Sequence, residues 1–346
     1  MSVTIAIFCK RSANSSIEQG KTTEKMSCNG HFPIKPVPAG AWDTHHHIFE
    51  PDRFPFAEGR HFTPARASLE QLQEFEKSIG IDHVCIAHGL SYGPDCTSLL
   101  YYLERFAGQA RGICVLDLDT VTYELLDQYH DAGVRSVRLD FFRHNAMDNV
   151  DVQSQLIEKT AQRLAQWGKS NWSIQIQQPH LEFWPGLHEV IQQSPIPVVV
   201  DHLALIAASS YRANDQTTDI QNDSFLVENE RRGLDALCKS LSEGNLWIKI
   251  SAPYRCSNLA PEYSDLRWIV RRLIDANPKR VVWGSDWPHT QRHKDRAGKS
   301  STSEEAFLKI DDKAWIESMS HWMSDEEWRL LWVSNPATLY DYPLEE

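Results

Sequence analysis

The chain has 346 residues, of which 41% are hydrophobic, and its formal net charge at pH 7 is -12. The apolar content is sufficient for a large core and excludes a wholly disordered chain. The acidic balance argues against a nucleic-acid partner, because a nucleic-acid surface needs clustered Lys and Arg. An anionic small-molecule substrate remains compatible with it, since a few local arginines can outweigh the field of the whole chain.

The cysteines and the apolar segments indicate the cellular compartment in which the protein is expected. The seven cysteines are scattered, form no C-x-x-C pair and are odd in number. A disulfide framework is therefore not expected, and a reducing, cytoplasmic location is the simpler interpretation. No apolar segment approaches the roughly 20 residues that span a bilayer, so no membrane partner is expected. The sequence is compatible with a homo-oligomer but does not specify one.

The first 40 residues differ from the rest of the chain. They are rich in Ser, Lys, Thr and Pro and have little periodicity. We predict that residues 1–40 form an extension that is mobile or lies on the surface. A single domain is expected over residues 41–346.

From residue 41 onward, short apolar segments of β type alternate with longer segments of helical period. The predicted strands are 41–48, 82–88, 111–116, 134–140, 172–177, 197–202, 246–251 and 280–285. The predicted helices are 67–79, 95–107, 121–132, 151–168, 184–193, 225–243 and 261–276, with further helix after 312. Strands that are apolar throughout suit a parallel sheet buried on both faces. This order predicts an α/β fold, a TIM-like (β/α)8 barrel.

A doubly wound open sheet is the competing architecture, but the first strand lacks the Gly-rich phosphate turn that would mark it. Two polar insertions, 205–224 and 290–311, follow predicted strands. In a barrel they would lie at the catalytic end, either as lids or as solvated surface loops.

The segment Trp42-Asp-Thr-His-His-His-Ile-Phe49 carries the first chemical signal. Successive side chains of a strand alternate between its faces, so His45 and His47 point one way and His46 points the other. Two adjacent imidazoles can bind a divalent metal or polarise a carbonyl oxygen. The alternative is a polar strand end whose histidines meet water or backbone.

Polar residues recur at the ends of the other predicted strands, which meet at one mouth in a barrel. Asp286 suits a general base for water, or else a helix N-cap. His202 is a candidate to bind a metal or to polarise a carbonyl oxygen. The alternative is a core histidine whose ring nitrogens are hydrogen-bonded within the protein. His289 is a candidate to orient the base. The alternative is that it only forms a hydrogen bond at the rim of the barrel. Further candidates for substrate contact are His88, Gln177 and three arginines that offer forks for carboxylates, Arg138, Arg143 and Arg255.

Arg135 and Arg138 lie three apart in one predicted strand and therefore face opposite ways. Only one of them can point into a barrel. Arg138 is nearer the end of the strand and is the one expected to point inward.

These residues together resemble the amidohydrolase-2 branch of the amidohydrolase superfamily, which contains the 2-pyrone-4,6-dicarboxylate lactonases. The resemblance spans about 41–342. The matching segments are Asp43-Thr-His-His-His-Ile-Phe49, Arg53-Phe-Pro-Phe56, Thr63-Pro64, Gly133-Val-Arg-Ser-Val-Arg138, Val200-Asp-His202, Trp247-Ile-Lys249, Trp283-Gly-Ser-Asp-Trp-Pro-His289 and Asn335-Pro336.

The resemblance implies an amidohydrolase-type barrel and hydrolysis at an activated carbonyl. It implies that His45, His47 and His202 act on the carbonyl and that Asp286 activates water. It places His202 after the fifth strand of the barrel, and it implies that Arg138 and Arg255 hold substrate carboxylates. The lactonase branch needs no metal, whereas elsewhere in the superfamily the same positions bind Zn or Mn. With no candidate for a bridging carbamylated lysine, a binuclear site is not expected.

Four positions depart from the pattern of the lactonases. Phe62 and Gln177 stand where that branch has tyrosines, and Leu90 stands where it has a small polar residue. A second arginine after the fourth strand aligns with either Arg143 or His144. The pocket therefore differs from that of a pyrone dicarboxylate lactonase.

The resulting hypothesis is a hydrolase that opens a lactone or related cyclic ester of a small anionic substrate, with no metal required. If a single Zn or Mn ion is bound, its ligands are expected to be His45, His47, His202 and Asp286. The alternatives are a metal-dependent decarboxylase of an aromatic or unsaturated acid and a non-catalytic binding protein on a barrel scaffold.

Overall fold

The computed structural model describes residues 32–169 and 171–343. Eight parallel strands lie in one sheet, each pairing with the next along the chain. They are β1 (Trp42–His46), β3 (His83–Ala87), β4 (Ala110–Cys114), β5 (Val134–Arg138), β6 (Ser173–Ile176), β7 (Val198–Val200), β8 (Leu246–Ser251) and β9 (Val281–Gly284). Each coincides with a predicted strand to within a few residues. The sheet curls into a (β/α)8 barrel, which confirms the predicted fold.

The helices cover the outside of the sheet. They are α1 (Leu69–Ile79), α2 (Thr97–Arg105), α3 (Tyr123–Asp131), α4 (Val150–Trp167), α5 (Trp184–Gln193), α6 (Ser209–Ala213), α7 (Glu228–Glu243), α8 (Arg267–Ala276), α9 (Asp312–Ser320), α10 (Asp325–Arg329) and α11 (Asn335–Leu339). Local sequence fixes their ends. Helix α1, for example, begins at a capping box in which Ser68 and Gln71 bond each other's backbone, and it ends at Gly80 in the left-handed conformation.

Side chains and backbone close the barrel between its first and last strands. The Asp43 carboxylate accepts hydrogen bonds from the backbone N–H groups of His45 and Ser285, each at 3.0 Å. The N–H of Asp286 donates to the carbonyl of His45 at 2.7 Å. Gly284 permits this approach, because a Cβ there would lie 2.8 Å from the Cβ of His45. The two histidine- and aspartate-bearing motifs of the sequence therefore lie side by side.

The C-terminal helices form a layer against the barrel. The four tryptophans at positions 315, 322, 328 and 332 are buried, and the rings of Trp283 and Trp332 lie 4.5 Å apart. These tryptophans pack against the barrel wall and one another.

The described part of the predicted extension lies on that same layer. Two hydrogen bonds of 2.8 Å join Phe32 to His321. The backbone N–H of Phe32 donates to the carbonyl of His321, and ring atom Nδ1 of His321 bonds the carbonyl of Phe32. The indole of Trp328 donates to the carbonyl of Pro36 at 2.8 Å. Residues 32–40 are thus attached to the domain, whereas the predicted mobility of residues 1–31 lies outside the described residues.

The two polar insertions lie at the carboxyl ends of the strands. The first contains helix α6, and the second contains β10 (Glu304–Glu305), which pairs with β2 (Thr63–Pro64) from the loop after β1. The five cysteines within the described ranges are free thiols. In that same part of the chain, no helix has both the length and the apolar character required to cross a bilayer.

Candidate active site

A cavity of about 930 Å³ opens at the carboxyl end of the barrel. Its floor is formed by polar side chains at strand ends, namely His47, Arg138, Gln177, His202, Arg255, Asp286 and Thr290. Loops that follow the strands form its wall. The structure thus brings most of the sequence-predicted site residues together on one surface.

Asp286 is fixed at the centre of this floor. Its backbone has a φ of 63°, a left-handed conformation that Asp tolerates better than most residues. Carboxylate oxygen Oδ2 accepts hydrogen bonds from the Tyr254 hydroxyl at 2.6 Å and from Arg255 Nε at 2.9 Å. Oxygen Oδ1 faces the imidazoles. The side chain therefore presents one defined oxygen to the reacting group.

The environment of Asp286 keeps it ionised. Burial alone would raise the pKa of this carboxyl, but the Arg255 guanidinium beside it holds the pKa well below its ordinary value. Asp286 is therefore a carboxylate at neutral pH. A low pKa also makes it a weak base.

His45 lies directly beneath the floor and is completely buried. Its Nε2 lies 3.6 Å from Asp286 Oδ1 and has no hydrogen-bond partner among the described residues. Its Nδ1 lies 3.2 Å from Asp201 Oδ1 and 3.3 Å from Lys249 Nζ. If Nδ1 carries the hydrogen, the ring can donate a hydrogen bond to Asp201. If Nε2 carries the hydrogen, the lone pair on Nδ1 can accept a hydrogen bond from Lys249. Burial and the charge of Lys249 lower the pKa of His45 well below its ordinary value, so the ring is neutral.

The tautomer of neutral His47 is determined by its backbone partner. Its Nδ1 lies 2.7 Å from the carbonyl oxygen of Ala87, which can only accept a hydrogen bond, so Nδ1 carries the hydrogen. Nε2 then presents a lone pair towards Asp286 Oδ1 at 3.6 Å. Burial lowers the pKa of His47. Two electron-rich atoms face each other here, an arrangement that favours a cation or a hydrogen-bond donor between them.

His202 follows β7, which is the sixth strand of the barrel. The expectation that it follows the fifth strand is wrong, because all eight predicted strands belong to the sheet. The residues from His202 to Leu205 all have φ values between 51° and 56°, and this left-handed turn begins where the strand ends. His202 Nε2 lies 3.9 Å from Asp286 Oδ1. Nδ1 lies 2.9 Å from the Ser251 hydroxyl, which can donate or accept.

A buried network supports the floor from below. Lys249 Nζ donates to the Thr44 carbonyl at 2.7 Å and to Gln175 Oε1 at 2.6 Å. Asp201 Oδ2 accepts from Gln175 Nε2 at 3.0 Å. Sequence patterns alone assigned no function to Lys249, Gln175 or Asp201. Their alternation with the apolar residues of each strand was the available signal, since it marks them as pointing into the barrel.

Arg138 lines the cavity, while Arg135 points outward and lies 3.3 Å from Asp341 Oδ2. This is the arrangement expected from their spacing. Arg138 Nη2 lies 3.5 Å from Asp201 Oδ2, so its remaining N–H groups can face a ligand. Gln177 also lines the cavity. Contact of these two side chains with a substrate stays a prediction.

Arg255 is engaged by the protein itself. Besides its bond to Asp286, Nη1 donates to the Gln291 carbonyl at 3.3 Å, and Nη2 donates to the Thr290 carbonyl and hydroxyl at 3.2 and 2.8 Å. A guanidinium has five N–H donors, so at most one is left for a ligand. These contacts favour the positioning of Asp286 over the carboxylate binding that the sequence suggested. Tyr254, the residue before it, was missed by the sequence reasoning.

Three other candidates lie away from the cavity. His88 is buried and its Nε2 lies 3.1 Å from the Gly93 carbonyl. Arg143 is exposed beside the β5–α4 loop. His289 is buried and its Nε2 lies 3.1 Å from Asp312 Oδ2. Because none of these three side chains lines the cavity, the structure does not support direct substrate contact by them. The directions of these side chains depend on loop geometry, which spacing along a strand does not determine.

His46 faces away from the barrel interior, as its position in the strand predicted. It lies with Asp43 and Glu76 in a buried group between β1 and α1, with its Nδ1 3.4 Å from Asp43 Oδ2 and 3.7 Å from Glu76 Oε1. Burial and the neighbouring Asp43 raise the pKa of Glu76 well above its ordinary value. A protonated Glu76 relieves the repulsion between the two acids in this group.

The floor has side chains that fit one divalent ion. Donor atoms of His45, His47 and Asp286 all lie within 4.8 Å of one another. Nε2 of His45 is buried without a hydrogen-bond partner among the described residues, and the tautomer of His47 directs a lone pair to the same point. Imidazole nitrogen and carboxylate oxygen are ordinary ligands of Zn²⁺. These three residues, joined by His202, are the ones that would hold the ion.

Comparisons with known proteins agree with this geometry. The Amidohydrolase family matches residues 42–341. The chain is 31% identical to a 2-pyrone-4,6-dicarboxylate hydrolase of Comamonas testosteroni over 270 residues, which cover 74% of this chain and 80% of the relative. It is 27% identical to a 4-sulfomuconolactone hydrolase of Hydrogenophaga intermedia over 260 residues, covering 73% and 76% of the two chains.

A solved structure shares the fold. A Pseudomonas putida protein assigned as a 2-pyrone-4,6-dicarboxylic acid hydrolase superposes with a TM-score of 0.65 at 22% identity. The match covers 89% of this chain and all of that one. With a family match over almost the whole domain and a barrel whose strand ends carry the matching residues, the chain is an enzyme that belongs to the Amidohydrolase family.

Proposed function

We propose that this enzyme hydrolyses the ester bond of a lactone ring in a small anionic substrate. The observation that carries the proposal is the convergence of three imidazoles on Oδ1 of Asp286, at 3.6, 3.6 and 3.9 Å. The two relatives described above support the substrate class, because both are named as hydrolases of lactone-type compounds.

Asp286 serves as the base of the reaction. Its Oδ1 takes a proton from water while the water oxygen forms a bond to the carbonyl carbon of the lactone. The bond between that carbon and the ring oxygen then breaks. The ring oxygen leaves with the electron pair and receives the proton from Asp286, which gives a ring-opened hydroxy acid. Tyr254 and Arg255 hold Oδ2 throughout, so the same oxygen accepts and returns the proton.

The histidines act on the carbonyl oxygen. Direct polarisation requires a hydrogen on Nε2 of His45 or His202, and the contacts of these rings with Lys249 and Ser251 accommodate that tautomer. Neutral His47 offers a lone pair instead. A divalent ion held by the histidines and Asp286 would draw charge from the carbonyl oxygen. Either arrangement compensates for the weak basicity of Asp286.

Arg138 anchors the anionic part of the substrate. Its side chain is 6% exposed, so a carboxylate beside it would be largely removed from water, where a charge-assisted hydrogen bond is strongest. The anchor would hold the lactone carbonyl over the histidines, which lowers the entropic cost of the reaction.

Ring opening of defined lactones tests the proposal. The purified enzyme is incubated with 2-pyrone-6-carboxylate and with 2-pyrone-4,6-dicarboxylate, before and after chelator treatment, and the loss of ring absorbance and the NMR spectrum of the product are recorded. We expect a ring-opened acid that forms faster than in enzyme-free buffer. No acceleration across a wider panel of lactones would contradict the proposal, and release of CO₂ from unsaturated acids would indicate a decarboxylase instead.

A further inference from the structure

Above the floor, the cavity is larger than a small dicarboxylate needs, and much of its lining is apolar. We infer that the substrate is a lactone that carries one anionic group near the ring and an aromatic or aliphatic arm that fills the upper cavity. This inference rests on the proposed lactone hydrolysis and specifies its substrate class. Four features of the described residues support it.

The first feature is size. The cavity volume of about 930 Å³ lies near the upper end of the range of roughly 300–1,000 Å³ for pockets that enclose drug-sized ligands. A single lactone ring bound at Asp286 occupies only the bottom of such a space. The upper part is therefore available to a substituent of the ring.

The second feature is the wall of the upper cavity. Its apolar side chains come from five of the loops after the strands and are Phe62, Leu90, Phe142, Met147, Pro179 and Leu205. A charged substituent next to these side chains would lose hydration without gaining a partner, whereas an apolar one would gain from leaving water. Two of these residues, Phe62 and Leu90, are positions at which the sequence departs from the lactonase pattern.

The third feature is that two rings of the wall are held by neighbouring side chains. The guanidinium of Arg296 lies 3.8 Å over the ring of Phe62. The ring of Phe142 stacks on His293 at 5.0 Å and an interplanar angle of 24°. Both supporting residues belong to the loop after β9. A preformed apolar surface binds an apolar group at a lower entropic cost than a mobile one.

The fourth feature is the distribution of charge. At the floor and directly beneath it, three cations, Lys249, Arg138 and Arg255, accompany two carboxylates, Asp201 and Asp286. The excess of one positive charge matches a substrate with one anionic group. Since Arg255 is engaged by the protein, a second carboxylate would have no arginine of its own.

Charged residues at the mouth make contacts with other side chains of the protein. His180 lies 2.9 Å from Asp148, and Arg296 lies 2.9 Å from Glu305. The ammonium of Lys294 lies over the ring of Tyr211 at 3.6 Å. None of these contacts forms a carboxylate site of the kind that Arg138 offers at the floor.

Three pyrones that share a 6-carboxylate and differ at position 4 test the inference. Position 4 carries phenyl, hydrogen or carboxylate. Binding to the Asp286→Asn variant is measured by calorimetry, because a slow variant allows equilibrium binding, and kcat/KM is measured with the wild-type enzyme. We expect the phenyl compound to bind ~10- to 100-fold more tightly than the unsubstituted one, and the dicarboxylate to bind no better than the unsubstituted one.

Variants of the wall sharpen the result. Phe142→Ala should weaken binding of the phenyl compound ~10-fold and change binding of the unsubstituted compound less than ~2-fold. Phe142→Leu, which keeps an apolar side chain, should retain most of the preference. Met147→Ala is a second test from the same loop if Phe142→Ala does not fold.

The outcomes separate this inference from the function on which it rests. Equal or tighter binding of the dicarboxylate relative to the phenyl compound overturns the inference, even if all three rings are opened. Binding in the expected order without ring opening supports the inference and contradicts the proposed hydrolysis. Failure of all three compounds to bind overturns the inference as well.

Discussion

The floor and the upper wall of the cavity are built in different ways. On the floor, polar side chains project from strand ends and are held by hydrogen bonds, as Oδ2 of Asp286 is by Tyr254 and Arg255. On the wall, side chains project from loops and are held by ring contacts, as Phe142 is by His293. The floor presents charge and lone pairs to one point, whereas the wall presents an apolar surface.

This difference separates the reaction from the choice of substrate. The hydrolysis of every lactone involves a carbonyl group and a water molecule, and in the proposed reaction the floor binds these together with the anionic group. The remaining substituents, which differ from one lactone to another, would meet the wall. Changes on the floor are therefore expected to reduce turnover of every substrate, and changes on the wall to alter the order of preference among substrates.

The largest effect is expected for Asp286→Asn, which keeps the size of the side chain but removes the base. We expect kcat for lactone opening to fall ~1,000-fold, within the range of 10² to 10⁴ that general-base groups contribute. Steady-state kinetics measures the change. Asp148→Asn at the cavity mouth is the matched control and should alter kcat less than ~3-fold. Near-wild-type turnover of the Asp286 variant would show that the base lies elsewhere.

The next largest effect concerns the divalent ion that the floor can hold. We expect the wild-type protein to bind one Co²⁺ and the His47→Ala variant to bind it more than ~100-fold more weakly. Loss of a residue that supports a metal ligand usually lowers metal affinity ~10- to 100-fold, and loss of the ligand itself costs more. The visible absorption of Co²⁺ reports its coordination. His180→Ala, at the mouth, should bind as the wild type does. Uptake of Co²⁺ that is unchanged in the His47 variant would contradict the ligand set.

A smaller effect is expected for Tyr254→Phe, which removes one of the two hydrogen bonds to Oδ2 of Asp286. A hydrogen bond to a charged group contributes about 1.5–3 kcal/mol, so we expect kcat to fall ~10- to 100-fold with little change in KM. Loss of the donor should also raise the pKa of Asp286 and move the acid limb of the pH–rate profile to higher pH. Tyr211→Phe is the control. A change in KM alone would assign Tyr254 to substrate binding instead.

The smallest effect is expected for His88, which lies beside the floor without reaching the cavity. Burial lowers its pKa from 6.5 to about 4. Below pH 6.5 the unfolded chain takes up a proton at this ring, whereas the folded protein does not until about pH 4, so stability declines as the pH falls through that window. Between pH 7 and 5 the loss is ~2 kcal/mol.

His88→Gln removes this proton uptake from the unfolded chain. We expect the free energy of unfolding, measured with urea, to depend less on pH in the variant by ~2 kcal/mol over that interval. The exposed His144→Gln should behave as the wild type. An unchanged pH dependence, together with a large loss of kcat/KM, would place His88 in the substrate site.

The sequence predicted the floor better than the wall, for physical reasons. All eight barrel strands were predicted because buried parallel strands are apolar along their length. His45 and His47 were predicted because alternation along a strand fixes the direction of its side chains, and His202 and Asp286 because the ends of the strands meet at one mouth of a barrel. The position of Arg138 followed from the same rule.

Contacts between distant strands could not be read in this way. The engagement of Arg255 by Asp286 and Thr290 depends on how two loops fold over each other. The orientation of His289 towards Asp312 depends on a helix that begins more than 20 residues later. The wall that includes Phe142 and Leu205 comes from loops, which have no periodicity to reveal which side chains face inward.

A crystal structure of the Asp286→Asn variant with 4-phenyl-2-pyrone-6-carboxylate tests most directly whether the reaction takes place at the floor and the wall selects the substrate. We expect the lactone carbonyl to lie against His202, the carboxylate to contact Arg138, and the phenyl ring to pack between Phe62 and Phe142. A ligand bound with its phenyl ring on the floor and its lactone at the mouth would contradict both the assignment of the reaction to the floor and the assignment of selectivity to the wall.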